Sequence, residues 1–574
     1  MSTRKSAWNK RWVPREQPPA AFLSATTDHT PLIATLLYQV GLNDTTSIAQ
    51  FFSADIRTDL HDPMLLHGMR DATQRIATAI TNRESIAVYG DFDTDGVTAV
   101  TLLMQAIGAM GGEIQPYIPN RARDGYGLNA QAVEALRASG TDLLITVDCG
   151  ISNVAEVALA RSLGMDVIVT DHHTPPATLP DANAIINPKL PHCSYPDKRL
   201  VGVGIAYKLV QALVRSGMDL PLRGRDLLDV VALGTVADMG PLLGENRVLV
   251  KAGLDAINQT ERPGVKALIS AARLRQGRVT ATDIGYSLGP RLNAAGRIED
   301  ATLAYRLLLA ESPQVAEQLA EQLNQLNQQR QELSQQVQEA AREQIIASGK
   351  AKQRVIVMAD EQFSAGVVGL IAARLAEEFM RPTLLIERGR QLSRGSARSL
   401  PGFSIIDALQ SCADLLPRFG GHSAAAGFSI PTDRIDELEA RLLVYAGHHL
   451  PDTALEPMIE YNAEVGFDEL TPALHREITR LEPFGQANPQ PIFMTGRVHV
   501  VAARTVGSDN KHLKLQLDNG QGIRFEAMAF RLGHLIDYMK PSRTIDILYT
   551  LDMNEWNGSR TLQLTIKDLR SPQR

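Results

Sequence analysis

The sequence predicts a multidomain α/β chain with a parallel-sheet domain, a long connector helix, a second and smaller α/β domain, and a C-terminal all-β barrel. Three observations carry this reading. Over the first third, short apolar runs alternate with longer helical patterns, as in parallel sheets covered on both faces. After Pro313, the stretch to residue 347 keeps apolar side chains on one helical face with no glycine or proline to interrupt it. From about residue 455, five strand-like runs follow one another with turn residues between them.

Length and composition bound the rest. At 574 residues the chain exceeds what one core serves, so several domains of roughly 100–200 residues each are expected. Hydrophobic content of 44% and charged content of 21% are ordinary for a globular protein, and no window approaches the ~18 consecutive apolar residues of a membrane span. The basic N-terminus, "MSTRKSAWNKRW", lacks the apolar run of a secretory signal, which predicts a cytoplasmic protein. Cys149, Cys193 and Cys412 lie far apart, so a disulfide framework and a thiolate zinc site are both disfavoured. The net charge of −6 argues against an indiscriminate polyanion coat but leaves room for local basic patches.

In the first third, "SIAVYG" at 85–90, "DLLITV" at 142–147, "DVIVT" at 166–170 and "NAIIN" at 183–187 read as strands, beside helical segments such as 97–110 and 152–163. In open α/β sheets, ligands bind beyond the carboxyl ends of the strands. There the sequence sets Asp91, Asp93 and Asp95 after the first strand, Asp148 after the second, and Asp171, His172 and His173 after the third. Asp238 ends a later apolar helical segment, "DLLDVVALGTVAD". Any one of these acids is explained by capping the next helix. Converging carboxylates are different, because they repel one another, raise each other's pKa and destabilise the fold unless cations neutralise them. Oxygen ligands with one or two imidazoles and no thiolate suit a pair of divalent ions, with Mn²⁺ preferred and Mg²⁺ accepted. Two such ions about 3.5–4 Å apart can activate water and stabilise a leaving oxygen, the chemistry of a phosphoesterase.

The motifs "YGDFDTDG", "TVDCGIS", "VTDHH" and "ALGTVAD" resemble the four successive motifs of the DHH phosphoesterases. Further along, "PNRARDGYGLN", "GVGIAYKL", "LGPRLNAAGRIED", "GVVGLIAARL", "GSARSLPGFSI" and "FGGHSAAAGFSI" are similar, in the same order, to the bacterial RecJ exonucleases, from residue 50 or so to the C-terminus. The resemblance implies single-stranded-DNA-specific degradation from the 5′ end to mononucleotides, in DNA recombination and repair. It also implies that Asp93, Asp95, Asp148, His172 and Asp238 hold metal, with Asp91 a ligand or support, while Asp171 and His173 orient ligands or phosphate from behind them. A metal-activated hydroxide would attack the phosphorus, with the ions and His422 stabilising the added charge. For His173 a structural hydrogen-bonded role stays open. Two rivals also stay open: a short-oligonucleotide or pyrophosphate-type hydrolase of the same fold, and a non-catalytic replication scaffold.

The helix over 311–347 places Val315, Leu319, Leu323, Leu326, Leu333, Val337, Ala341 and Ile345 on one face, and at 1.5 Å per residue it would span about 55 Å. It reads as a domain connector. The alternative, a coiled-coil dimer, is weakened by Arg330 within the stripe and by sparse charge pairing among many glutamines.

Beyond it, "RVIVMA", "GVVGLIAARLAEEF" and "PTLLIE" predict strand, helix and strand, followed by a glycine-rich tract. Ser396 and Arg398 of "RGSARS" are the type of pair that holds a terminal phosphate, and His422 of "RFGGHSAAAG" follows glycines that let backbone approach a phosphodiester. A surface turn and a glycine-bent connection are the plainer alternatives. A 5′-phosphate pocket is expected from Ser396 and Arg398, with Arg297 of "NAAGR" and Arg121 of "PNRARDGYG" either contributing or bracing the domain interface. These groups are expected to face the metal sheet across the connector. Two departures from the family pattern stand out: Phe363-Ser364 occupies the usual Trp-His position, and Cys149 replaces an asparagine beside Asp148.

The five C-terminal strands fit a small barrel of the oligonucleotide-binding kind. Between Pro491 and Thr544 there are eight Lys/Arg (Arg497, Arg504, Lys511, Lys514, Arg524, Arg531, Lys540, Arg543) against four acids (Asp509, Asp518, Glu526, Asp537). Phe525 and Trp556 are candidates either for base stacking or for the barrel core. The expected division is a helical segment at 1–80, the metal domain at 81–300, the connector at 301–349, the phosphate-binding domain at 350–450 and the OB-like domain at 455–574. Expected partners are single-stranded DNA, a single-strand-binding protein and a helicase, for a monomer without membrane contact.

Overall fold

The computed structural model describes residues 6–121, 125, 127–556 and 559–572, with the side chains of Trp556 and Ser559 also outside the described set. The chain forms two compact units, one of residues 53–336 with 483–488, the other of 1–52, 337–482 and 489–574. Among the described residues, no helix is long and apolar enough to cross a membrane.

In the first unit, five parallel strands stand in the order Glu113–Tyr117, Ser85–Tyr89, Leu143–Val147, Asp166–Thr170 and Ala184–Ile186. Successive side chains point to opposite faces, which explains why these strands are apolar throughout. Ile86, Val88, Leu143, Ile145, Val147 and Ile168 enter one core, under the helices Met69–Asn82, Thr94–Ala109 and Gly202–Arg215. Ala87, Tyr89, Leu144, Val167 and Val169 enter another, under Ala130–Ala138 and Val154–Ser162. Each fully buried Ile or Val contributes roughly 1.5–3 kcal/mol relative to exposure. The sequence reading missed the edge strand Glu113–Tyr117, whose "EIQPY" is only partly buried and carries Pro116. An edge strand needs neither two apolar faces nor every N–H, so its composition is not strand-like.

The long helix runs from Pro313 to Ala347, 35 residues, or about 52 Å. Ala316, Leu319, Ala320, Leu323 and Leu326 belong to the core of the first unit, and Val337, Ala341 and Ile345 are buried further along. Val315, expected on the apolar face, is 44% exposed at the first turn. Arg330 does not break the stripe by reaching solvent, since it is buried and donates to Asn327 Oδ1 at 2.9 Å. The chain itself buries the stripe, which removes the seam that a coiled coil would need.

In the second unit, the mixed sheet runs Arg418–Gly421, Ala425–Pro431, Leu392–Arg398, Thr383–Glu387, Ile356–Asp360. The glycine-rich tract is therefore not a connection but a hairpin that completes the sheet. Gly395 is small because the Phe428 ring lies across it: a Cβ there would stand 2.2 Å from that ring. Phe363 is buried, and the Ser364 carbonyl accepts the Val367 and Val368 amides at the start of the helix Val368–Phe379. The barrel strands are Phe493–Val506, His512–Asp518, Arg524–Ala529, Thr544–Trp556 and Ser559–Arg570, closed by pairing of the first with the fourth. The N-terminal segment is not helical throughout, for Arg11–Pro14 is a strand paired in parallel with Met458–Tyr461. Trp12 anchors it, donating to Asp568 at 2.9 Å under the Arg570 guanidinium. Four residues carry no period-2 signal; this strand exists because its tryptophan finds a buried acceptor.

Candidate metal centre

The acid-bearing loops leave the sheet at its carboxyl edge. Asp93 caps the helix Thr94–Ala109, accepting the Gly96 amide at 3.1 Å, so the plain capping role holds for this residue. Its carboxylate nonetheless lies with those of Asp91 and Asp148, ligand atoms all within 4.8 Å. Asp95, in the first turn of that helix, is fixed from behind by the amides of Gly202 (2.6 Å) and Val203 (2.8 Å), where the helix Gly202–Arg215 begins. Asp148 follows Val147 with φ of +60°, a left-handed conformation that Asp tolerates better than most side chains. His172 Nε2 stands 3.0 Å from Asp148 Oδ1, 3.7 Å from Asp238 Oδ2 and 3.9 Å from Asp95 Oδ2. Asp238 arrives from the C-terminal end of the helix Leu228–Ala237. Among the described residues, three overlapping sets could each hold an ion: Asp91, Asp93 and Asp148; Asp95, His172 and Asp238; Asp148, His172 and His173.

Asp171 stands behind His173. The Ile151 amide donates to Asp171 Oδ2 at 3.0 Å, and the His173 amide and Nδ1 approach Oδ1 at 2.9 and 2.7 Å. Burial pushes the Asp171 carboxyl up, but these bonds hold it below the usual range. It therefore stays ionised and orients His173.

The other acids show the opposite balance. Burial first, then the charge of Asp93, raises Asp91 well above the usual range and Asp95 to about 7. Burial followed by repulsion from Asp95 and Asp93 raises Asp148 and Asp238 likewise. Asp91 Oδ1 is buried with no hydrogen-bond partner among the described residues, a cost that a cation would remove. The donor set, oxygens with imidazole and no thiolate, fits Mn²⁺ or Mg²⁺. Linkage gives a test: a carboxyl whose folded pKa is raised stabilises the fold below its unfolded value, near 4, and loses that contribution as pH rises through the folded value. In chelator the melting temperature should fall between about pH 4 and pH 7, less so in Asp95→Asn, and Mn²⁺ should restore it. Equal pH profiles for wild type and Asp95→Asn would contradict the shift.

Several positioning groups escaped the sequence reading. A Cβ at Gly202 would stand 2.6 Å from Asp148 Cβ and 2.9 Å from Asp95 Oδ2; one at Gly234 would stand 3.1 Å from Asp95 Oδ1 and closer still to Thr98. Asn293 accepts the Thr94 amide at 2.8 Å, and Gly296 lies against the Phe92 carbonyl. Their signal was present in "GVGIA", "ALGTVAD" and "LNAAGR", but nothing local says what each glycine faces. Arg297 follows Gly296 in the last turn of the helix Gly289–Ile298. Arg121 lies 5.2 Å from the Phe92 ring centre, its charge acting on Asp91 and Asp93. Cys149 is buried, its sulfur 3.9 Å from the Tyr89 carbonyl.

In the second unit, Arg398 Nη1 donates to Ser396 Oγ at 2.8 Å, and both side chains lie against Gly369 in the first turn of Val368–Phe379. His422 is exposed in the turn between Arg418–Gly421 and Ala425–Pro431. On the barrel, Phe525 packs edge-on to Phe467 at 5.0 Å, and the Trp556 side chain lies outside the described residues. Among the described residues, Phe530 and Tyr538 are the exposed aromatics there, at 51% and 45%. Lys511, Lys514 and Arg524 are paired with Asp509, Glu526 and Asp518.

Compared with known proteins, residues 85–235 match the DHH family, N-terminal domain, 352–445 the DHHA1 domain, and 461–568 the RecJ OB domain. The single-stranded-DNA-specific exonuclease RecJ of Bacillus subtilis is 38% identical over 541 residues, 94% of this chain and 68% of that protein. The chain belongs to the RecJ family. Its fold agrees: the crystal structure of RecJ from Thermus thermophilus in complex with Mn²⁺ superposes with a TM-score of 0.83 and 30% identity, covering 100% of this chain and 81% of that one. The same RecJ in complex with Mg²⁺ gives 0.77 and 29% identity, over 98% and 79%. The C-terminal barrel is thus the OB domain of a RecJ-family exonuclease.

Proposed function

We propose that the protein hydrolyses single-stranded DNA from its 5′ end to mononucleotides, with two divalent ions, Mn²⁺ preferred and Mg²⁺ accepted. The observation that carries this reading is the convergence of Asp91, Asp93, Asp95, Asp148, His172 and Asp238 into overlapping ligand sets. Bound ions would supply water activation and stabilisation of the leaving oxygen. The chain's own residues set the stage: Asp148 is shared between ligand sets, the Gly202 and Val203 amides aim Asp95, and Asp171 orients His173. Arg121 and Arg297 supply positive charge for phosphates beside the cage, and His422 for phosphates on the other unit. The OB domain holds the strand through its locally basic stretch 491–544, with the Arg497, Arg504, Arg531, Lys540 and Arg543 side chains as phosphate contacts and Phe530 and Tyr538 as stacking groups. We place this activity in cytoplasmic DNA recombination and repair, in a monomer served by a single-strand-binding protein and a helicase.

Direction requires a group that reads an end. A terminal phosphate carries more charge and a further free oxygen than a phosphodiester, and an arginine fork beside a hydroxyl reads that difference. Arg398 with Ser396 is that pair. The test compares 5′-phosphorylated and 5′-hydroxyl single strands, with duplex DNA, RNA and pyrophosphate alongside, all in Mn²⁺. Wild type should release 5′-terminal mononucleotides from single strands. Arg398→Ala should lose roughly 1.5–3 kcal/mol of phosphate preference, about ten- to a hundredfold, with the hydroxyl substrate little changed. Cleavage from the 3′ end, or an unchanged preference in the variant, would refute the assignment.

A further inference from the structure

One cation beside the cage has no part in the roles above. Lys189 sits on the loop after the strand Ala184–Ile186, exposed at the rim, and its ammonium lies in the field of Asp238 and Asp171. Its place is built. The Asp171 amide donates to Ile186 O at 3.0 Å, so this loop leaves the sheet beside the Asp171-His172-His173 segment. Asn187, fully buried, donates from Nδ2 to the His173 carbonyl at 2.9 Å and accepts the Lys189 amide on Oδ1 at 2.8 Å. One buried amide thus fixes the backbone of His173 and that of Lys189 to each other. An incidental surface counter-ion needs no such anchor.

We infer that Lys189 is a substrate-contacting residue whose ammonium takes a non-bridging oxygen of the phosphodiester held on the Asp238 side of the cage. This rests on the function proposed above. The charges call for it: Asp91, Asp93, Asp95, Asp148 and Asp238 carry five negative charges when ionised, against four positive from two divalent ions, before an anionic strand arrives. Arg121 acts on Asp91 and Asp93, whereas Lys189 acts on Asp238. With three donors on one point charge, Lys189 can hold Asp238 and a phosphate oxygen together.

The experiment uses the full chain as wild type, Lys189→Gln and Lys189→Arg, in Mn²⁺, on a 5′-phosphorylated single strand across a salt series. Lys189→Gln should lose about ten- to a hundredfold in kcat/KM, and Lys189→Arg should recover most of it. The slope of log affinity against log salt should become shallower by about 0.7 in Lys189→Gln, the value of one phosphate contact on a single strand. Half-saturation by Mn²⁺ should stay or tighten, because removing a cation cannot repel another. An unchanged kcat/KM and salt slope, or activity fully restored by excess Mn²⁺, would overturn the contact. A wild type that does not cut single strands would instead sink the underlying function, and this inference with it.

Discussion

Asp148→Asn should reduce hydrolysis of single-stranded DNA by roughly 10³-fold or more, since it removes an anionic oxygen shared between two of the candidate ligand sets. Asparagine is the informative replacement. It keeps the shape and tolerates the +60° φ of this position, where alanine would add about 1 kcal/mol or more of backbone strain unrelated to metal. Because burial and the neighbouring Asp95 and Asp93 charges already hold the Asp148 carboxyl far above its usual range, neutralising it relieves repulsion in the metal-free protein. The melting temperature in chelator should therefore hold or rise, while the stabilisation that Mn²⁺ adds to wild type shrinks. Capture of long strands by the OB domain should survive. Turnover near the wild-type rate would remove the two-ion assignment.

Gly202→Ala should be nearly as damaging, although it adds only one methyl group and removes no titratable group. The new Cβ would stand 2.6 Å from Asp148 Cβ and 2.9 Å from Asp95 Oδ2, with the Gly202 amide already bonded to that oxygen at 2.6 Å. Something must move, at a typical overpacking cost of about 1–3 kcal/mol. Displacing a ligand by even ~1 Å costs on the order of 10²-fold in rate. The expected result is a folded protein, a few degrees less stable, with hydrolysis down about a hundredfold and weaker rescue by Mn²⁺. Activity within a few-fold of wild type would mean that the cage is softer than its packing implies.

The sheet and the cage differ in how far local pattern reveals them. Ile86, Val88, Ile145 and Val169 announce buried strands because each must be apolar on both faces, and this is written residue by residue. The acids after them are legible for the same reason, since the end of a parallel strand is where a ligand binds. Glu113–Tyr117 and Arg11–Pro14 were not legible. The first lies at an edge and needs one partner, and the second is held by Trp12 reaching Asp568 across most of the chain length.

The sequence alone thus determined the order of domains, the candidate ligands and the family resemblance, because periodicity, strand-end acids and ordered motifs are properties of contiguous residues. Tertiary structure decided which face each glycine defends, that the Asp171 carboxylate takes the Ile151 amide as well as the His173 amide and ring, that Arg330 lies buried in the long helix, and that Asn187 ties Lys189 to the His173 loop. These are contacts between residues that are apart in sequence or turned by the fold toward one another, and their energies come from close packing, burial and hydrogen bonding at specific distances. A one-dimensional pattern contains no distance, so the fold had to supply it.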